Sequence, residues 1–494
     1  MMTLYRSTRD PQAKTITASK AVLQGLSPDG GLYVPVTMPQ IDFNLEDALA
    51  FSYQELAYRI LKPFFSDYSQ AELTDCINSA YGPNFTDPLV APVNYQADNA
   101  YLELFHGPTI AFKDIALQLL PYLMTTAAKK NQLTNKIVIL TATSGDTGKA
   151  AMEGFADVPN TEICVFYPKD GVSPIQEKQM LTQKGANTHV IGIKGNFDQA
   201  QTNVKEIFNN RDLAEQLATK GYQFSSANSI NIGRLFPQVV YYFHAYLQLV
   251  KAGKLTLGAP VNFSVPTGNF GDILAGYYAK QLGLPIKKLI CASNKNNVLT
   301  DFFNEGTYDK NRPFYVTTSP SMDILVSSNL ERLLFYISGE DAAKTAQLMA
   351  DLNKTGKYSL DENTKAKLAD FVAGFADEAS TEAEIARVYQ ASGYTLDPHT
   401  AVASAVAEQY KKASGDSTPM VVVATASPYK FPQAVLRALG ASEIDSGLDA
   451  VNQLQALIKV PLPKTVADLF TAKELHSLVV KPAEMEATVI DILE

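Results

Sequence analysis

The chain has 494 residues, 46% of them hydrophobic, with 42 Lys and Arg against 51 Asp and Glu and a formal charge of -9. Such a length can bury a large core and suggests about two to four domains, and the acidic balance excludes nonspecific nucleic-acid binding, which needs a basic surface to neutralise phosphates. Cys76, Cys164 and Cys291 are odd in number and widely spaced, so no disulfide framework is expected, which suits a reducing cytoplasm. The start MMTLYRSTRD has no apolar leader core and no run approaches membrane-crossing length, so neither secretion nor membrane insertion is expected. The five histidines, His106, His189, His244, His399 and His476, show no H-E-x-x-H spacing and no C-x-x-C accompanies them, so no metal site is expected.

In chain order, the first 90 residues open with turns, SPDGGLYVP, and continue as an amphipathic segment, LEDALAFSYQELAYRILKPFF; they read as a separate N-terminal unit. Next comes FHGPTIAFKDIALQLL, residues 105 to 120, which sets Lys113 and Asp114 inside an apolar run after a Gly-Pro turn. A buried ammonium is costly unless paired, so either the lysine snorkels to water, or desolvation leaves a neutral amine able to attack a carbonyl. Pro121 is expected to kink or restart any helix begun there. From residue 136 short β-branched runs alternate with helical patterns: KIVILTAT, EICVFYP, THVIGIKG, VNFSVP, KKLICAS and MVVVATA. This is the grammar of a mostly parallel sheet covered by helices. Residues 340 to 415, rich in Ala, Glu, Lys and Asp, read as solvated helices.

Three loops could hold anions. TATSGDTGKAA runs from strand into helix, putting Ser144 to Gly148 where backbone N–H groups and the helix dipole meet an anion. It is not a Walker A loop, since two residues separate Gly145 from Gly148 and Ala150 follows Lys149. VNFSVPTGNFGD repeats the pattern with Gly268, Gly271 and Asp272, and fits no dinucleotide fingerprint. SSANSINIGRL gathers Asn228, Ser229, Asn231 and Arg234, neutral donors around a guanidinium suited to phosphate. Each alone reads equally well as a helix cap or a surface arginine. Together with Lys113 they describe an amine nucleophile beside more than one phosphate, as a pyridoxal phosphate enzyme acting on a phosphorylated substrate requires.

HGPTIAFKD, TATSGDTG, NSINIGR, PTGNFGD and DPHTAVA, in this order, resemble the threonine synthases, and the likeness extends to YRSTRD, SPDGGLYVP and VVVATASPYKFP. The resemblance implies an α/β enzyme of fold type II, similar to the tryptophan synthase β chain, with mostly parallel sheets covered by helices and a small N-terminal domain. The implied division is residues 1–90, a large pyridoxal phosphate domain from 91–135 and 225–494, and a small nested α/β domain, 136–224. The implied reaction turns O-phospho-L-homoserine and water into L-threonine and phosphate. By position, Lys113 would form the internal imine; Gly268, Asn269, Phe270, Gly271 and Asp272 would hold the cofactor phosphate; Thr425 would meet the pyridine nitrogen. Asp146 would sit by the cofactor ring, Ser144 and Thr147 by the substrate carboxylate, and Asn228, Ser229 and Arg234 would receive the substrate phosphate. Ser427 stands where many relatives carry His. A threonine or serine dehydratase would lack use for the second phosphate cluster, and a silent phospho-metabolite-binding paralogue would lack use for Lys113 and GNFGD. Monomer and homodimer both remain open.

Overall fold

The computed structural model describes residues 2–494 other than 97, 98, 144 and 459, with the side chains of 197, 198 and 209 also outside the description. Strands Leu4–Ser7 (β1), Ile16–Thr17 (β2) and Tyr33–Pro35 (β3) form an antiparallel sheet in the order β2-β1-β3. The amphipathic segment after it is two helices, Leu45–Ala48 and Tyr53–Leu61. Ser52 divides them, because its hydroxyl accepts from Glu55 N while the Glu55 carboxylate accepts from Ser52 N, a capping box that starts the second helix afresh. Tyr53, Leu56, Ala57, Ile60 and Leu61 then face the core.

Val93–Tyr95 (β4) and Ala100–Glu103 (β5) begin the main sheet, after which the chain departs to build Lys136–Ala142 (β6), Thr161–Pro168 (β7), Thr188–Ile193 (β8) and Tyr222–Ser225 (β9). It returns through Val261–Pro266 (β10) and Ile286–Ser293 (β11), makes a two-stranded antiparallel ribbon of Thr307–Asp309 (β12) with Lys357–Ser359 (β13), and closes the main sheet with Phe371–Phe375 (β14) and Met420–Ala424 (β15). The main sheet runs β14-β11-β10-β15-β5-β4, parallel except at β4. Every residue of β10 and β15 is buried, as expected of strands covered by helices on both faces. All six apolar runs singled out in the sequence are strands.

Three expectations change. Within the stretch read as solvated helices, FVAGF is β14, held parallel to β11, where the sheet edge overrides the surrounding helical composition. Pro398–Ser414 is a helix there, but its first ten residues are buried against the main sheet, and its small side chains let Ser264 Oγ reach Ala403 O at 2.7 Å. The end of the chain, counted with 225–494, turns instead to the nested sheet. Leu478–Val480 (β16) pairs with β8 to give the parallel order β16-β8-β7-β6-β9, and Met485, Val489 and Leu493 join its core. The helix begun at Lys113 does stop, at Leu117, and restarts as Leu120–Lys130 with Pro121 in its first turn. Cys76, Cys164 and Cys291 are buried and unpaired, and no described helix is long and apolar enough to cross a membrane.

Candidate active site

The site forms at the carboxyl ends of the parallel strands, where open α/β sheets place ligands. Beyond β15 the chain is met by the segment before Lys113: Phe112 N donates to Thr425 O at 2.8 Å and Ser427 N to Ile110 O at 3.1 Å, with a bridge between Ala111 and Ala426. This short ladder aims Lys113 past the sheet end. Asp114 stands behind it as a brace, accepting from Thr109 N at 2.8 Å and Thr109 Oγ1 at 2.6 Å. Gly107 leaves room for that brace, since a Cβ there would lie 2.5 Å from Asp114 Cβ. The lysine does not snorkel. Lys113 is 9% exposed, its Nζ 3.1 Å from Ser321 Oγ and 3.6 Å from Asp146 Oδ2. Burial is the largest influence on its amine and lowers the pKa; Asp146 opposes, Lys430 and Arg234 add to the lowering, and the result is about 8.

Asp146 opens the helix Asp146–Phe155. Its Oδ1 accepts from Gln176 Nε2 at 2.9 Å and lies 3.1 Å from Lys430 Nζ, while Oδ2 accepts from Ser321 Oγ at 3.2 Å. Burial alone would raise its pKa, but Lys430 and Lys113 outweigh it and hold the carboxyl well below its ordinary range. The loop before it is less open to anions than its glycines suggested, because Thr143 Oγ1 takes the N–H groups of Gly145 and Gly148 at 3.0 and 2.9 Å. Thr147 is partly exposed, and Ser144 lies outside the described residues.

The second loop follows β10. Its carbonyls turn toward residues 327–329: Ser327 Oγ donates to Gly268 O at 2.6 Å, and Asn329 N and Nδ2 both donate to Asn269 O at 3.0 Å. The N–H groups of Gly268, Asn269, Phe270 and Gly271 have no acceptor among the described residues. A Cβ on Gly268 would lie 2.6 Å from Ser321 O, so only glycine lets this loop and the Lys113 partner come together. The side chains of Phe270 and Asp272 are turned inward. Phe270 stacks on Phe303, and the Asp272 carboxylate accepts from Tyr241 and Tyr242 hydroxyls at 2.6 and 2.7 Å. Burial pushes the Asp272 pKa up to about 6 against those two hydrogen bonds.

Arg234, in the short helix Ile232–Leu235, is 3% exposed, which rules out a surface arginine. Its Nη1 donates to Ala227 O at 3.1 Å, its Nε has no partner, and no carboxylate lies within ion-pair distance among the described residues. Burial lowers its pKa to about 10, which leaves it charged at neutral pH. A buried cation without a counter-charge is costly unless an anion completes it. Asn228 is exposed and Ser229 partly so. Asn329 Nδ2 also reaches Ser229 O at 3.3 Å, so one side chain bridges this cluster to the glycine loop. Asn329 is gripped in turn by Arg332, fully buried, whose Nη1 donates to Asn329 Oδ1, Nε to Tyr33 O at 2.9 Å and Nη2 to Ile230 O at 2.5 Å.

Thr425 is 5% exposed, and its hydroxyl has no protein partner among the described residues. Ser427 Oγ accepts from Tyr429 N at 3.4 Å and caps the turn Pro428–Lys430, a local role. The sequence reading missed Lys430, Ser321 and the pair Asp397–His399, in which His399 Nδ1 faces Asp397 Oδ1 at 2.8 Å and Nε2 accepts from Ser321 N at 3.2 Å. Lys430 carried the same signal as Lys113, a lysine between Tyr429 and Phe431 in an apolar run. Ser321 carried none.

Family models match along the chain: "Threonine synthase N terminus" over residues 4–81, "Pyridoxal-phosphate dependent enzyme" over 99–426 and "Threonine synthase, C-terminal" over 400–489. Threonine synthase of Pseudomonas aeruginosa is 43% identical over 482 residues, 95% of this chain and 94% of that protein. The Saccharomyces cerevisiae threonine synthase is 38% identical over 88% of this chain and 89% of its own. A crystal structure of pyridoxal phosphate-bound threonine synthase from Brucella melitensis, 40% identical, matches with a TM-score of 0.88 over 100% of both chains. The residues present could receive that cofactor: a buried amine at Lys113, unpartnered N–H groups on a glycine-lined loop, and a buried Thr425 hydroxyl without a protein partner among the described residues. The chain belongs to the threonine synthase family of fold type II pyridoxal phosphate enzymes.

Proposed function

We propose that the chain converts O-phospho-L-homoserine and water to L-threonine and phosphate, in the cytoplasm. The observation that carries the substrate is Arg234, a buried guanidinium without a carboxylate, close enough to Lys113 to depress its amine. Bound pyridoxal phosphate supplies the electron sink for the substrate's α-carbon. The chain supplies orientation and proton transfer. Its phosphate would be held by the N–H groups of Gly268, Asn269, Phe270 and Gly271, with Asp272 fixing the loop from behind. Thr425 would take the ring nitrogen, and Asp146 would stand beside Lys113. Lys113 Nζ, released from the cofactor by the substrate amine, would remove the α and β protons and return protons at the end, with a pKa near 8 suited to both directions. Ser144 and Thr147 would meet the substrate carboxylate, and Asn228, Ser229 and Arg234 its phosphate, holding the leaving group while water adds. The test is to follow phosphate and threonine together from O-phospho-L-homoserine. One threonine per phosphate supports the reading; deamination of threonine or serine in its place would favour the dehydratase.

A further inference from the structure

Two lysines share one carboxylate in this site. Lys430 is fully buried; its Nζ lies 3.1 Å from Asp146 Oδ1 and donates to Thr109 O at 2.8 Å. Lys113 Nζ holds the poorer contact, 3.6 Å from Asp146 Oδ2, and its nearest partner is the Ser321 hydroxyl at 3.1 Å. Among the described residues no other carboxylate lies within ion-pair distance of either amine. Asp114, adjacent in sequence, directs both oxygens to Thr109, and His399 is turned to Asp397 and the Ser321 N–H. The Arg234 charge also bears on Lys113 and lowers its pKa further.

Among the described residues Asp146 is therefore the one carboxylate within ion-pair distance of both ammonium groups, and since the Asp114 charge is felt by Lys430 as well, Lys113 is the less well compensated of the two. Losing one proton is the least costly relief. Arginine does not release its proton. Lys430 is tied to a closer carboxylate oxygen and donates to a carbonyl. Lys113 donates, among the described residues, only to the Ser321 hydroxyl, whose own proton goes to Asp146 Oδ2, and otherwise stands 3.6 Å from the carboxylate.

We propose that Lys430 is a positioning residue for the reaction: by holding the better share of Asp146, it makes Lys113 the lysine that gives up its proton and so serves as the base. Lys430 acts through its hold on Asp146 and through its own charge on Lys113, since its side chain is sealed from the cleft. The inference rests on Lys113 being the base in the proposed function. The amine's lowered pKa accords with it: after burial, Lys430 is the largest influence of its own sign.

The test uses full-length enzyme carrying Lys430→Met, Lys430→Gln, which keeps a donor for the Thr109 carbonyl, and Lys430→Arg, which keeps the charge. Two quantities are measured against pH: the rate of threonine formation, and the rate at which protein stripped of cofactor is rebuilt by pyridoxal phosphate, read from its absorbance without turnover. In Lys430→Met and Lys430→Gln the acidic limb of both profiles should move up by about one pH unit. The rate at high pH should then recover toward the parent's. In Lys430→Arg both limbs should stay. Limbs that do not move in a folded neutral variant, however low its rate, or that move down, would overturn the proposal. If the parent fails to turn over O-phospho-L-homoserine, the substrate reading falls, while the rebuilding profile still decides the role of Lys430.

Discussion

Arg234→Ala removes a guanidinium that already satisfies Ala227 O through Nη1 and leaves Nε without a protein partner. A charge-assisted hydrogen bond from such a group to a phosphate contributes roughly 1.5 to 3 kcal/mol. At about 1.4 kcal/mol per tenfold, the specificity constant for O-phospho-L-homoserine should fall by roughly 10- to 150-fold. Folding stability should change much less, because the lost packing is offset by relief of an unpaired buried charge. A second sign follows from the same position. Arg234 lowers the Lys113 pKa, so its removal should move the acidic limb of the rate profile to higher pH, since Lys113 must be neutral to take a proton. Steady-state kinetics across pH, with cofactor titration alongside, check both. An unaltered specificity constant with weakened cofactor binding would mean that Arg234 serves the cofactor phosphate and that the two anion sites are exchanged.

Lys113→Ala should abolish turnover and the visible band of bound cofactor while leaving the denaturation midpoint unchanged or higher, because a desolvated amine is removed; retained catalysis would refute its role. Thr425→Asp should shift the cofactor absorbance and lower the threonine formed per phosphate released, since a carboxylate stabilises a protonated ring nitrogen and deepens the electron sink; a parent spectrum with one threonine per phosphate would show that Thr425 does not touch the ring. Asp272→Asn keeps an acceptor for the Tyr241 and Tyr242 hydroxyls and removes a buried charge. The Asp272 pKa is raised to about 6, above its unfolded value, so its stabilising contribution is present at low pH and is lost as pH rises from about 4 through 6. The variant should therefore be as stable as the parent at neutral pH or more so, by up to about 2 kcal/mol in urea unfolding, with cofactor affinity unchanged; a joint loss of both would give the Asp272 carboxylate a direct part in the site.

The strands and the glycine loops were legible because each rests on local chemistry: β-branched runs bounded by turn residues, and glycines where a strand enters a helix. Lys113 stood out because an ammonium in an apolar run is costly enough to need a reason, but the run alone left snorkelling open, and its burial came from Ser321 and Asp146. Asp272 reads as part of an anion loop until two tyrosines from a distant helix are seen to engage its carboxylate. The open look of TATSGDTG conceals Thr143, which takes two of its N–H groups. Ser321 reaches Lys113 from 208 positions away, and an isolated serine in a loop carries no mark of such a partner. FVAGF became a strand only because β11 offers it an edge. What the sequence hid in each case was a partner from elsewhere in the chain.

The grip of Arg332 bears on how this chain can be divided. The guanidinium holding Asn329 takes one of its three acceptors, Tyr33 O, from the N-terminal sheet, and Val22 O in the same region accepts from Asn231 Nδ2 at 2.9 Å, beside the Arg234 helix. The region matched as an N terminus thus supplies backbone acceptors to the residues that frame the candidate site. A fragment beginning near residue 90 would keep Lys113, the glycine loop and Arg234, yet lose acceptors on which the bridge between its two anion clusters depends. Such a fragment is not a smaller enzyme, and activity would have to be sought by supplying the missing piece in trans.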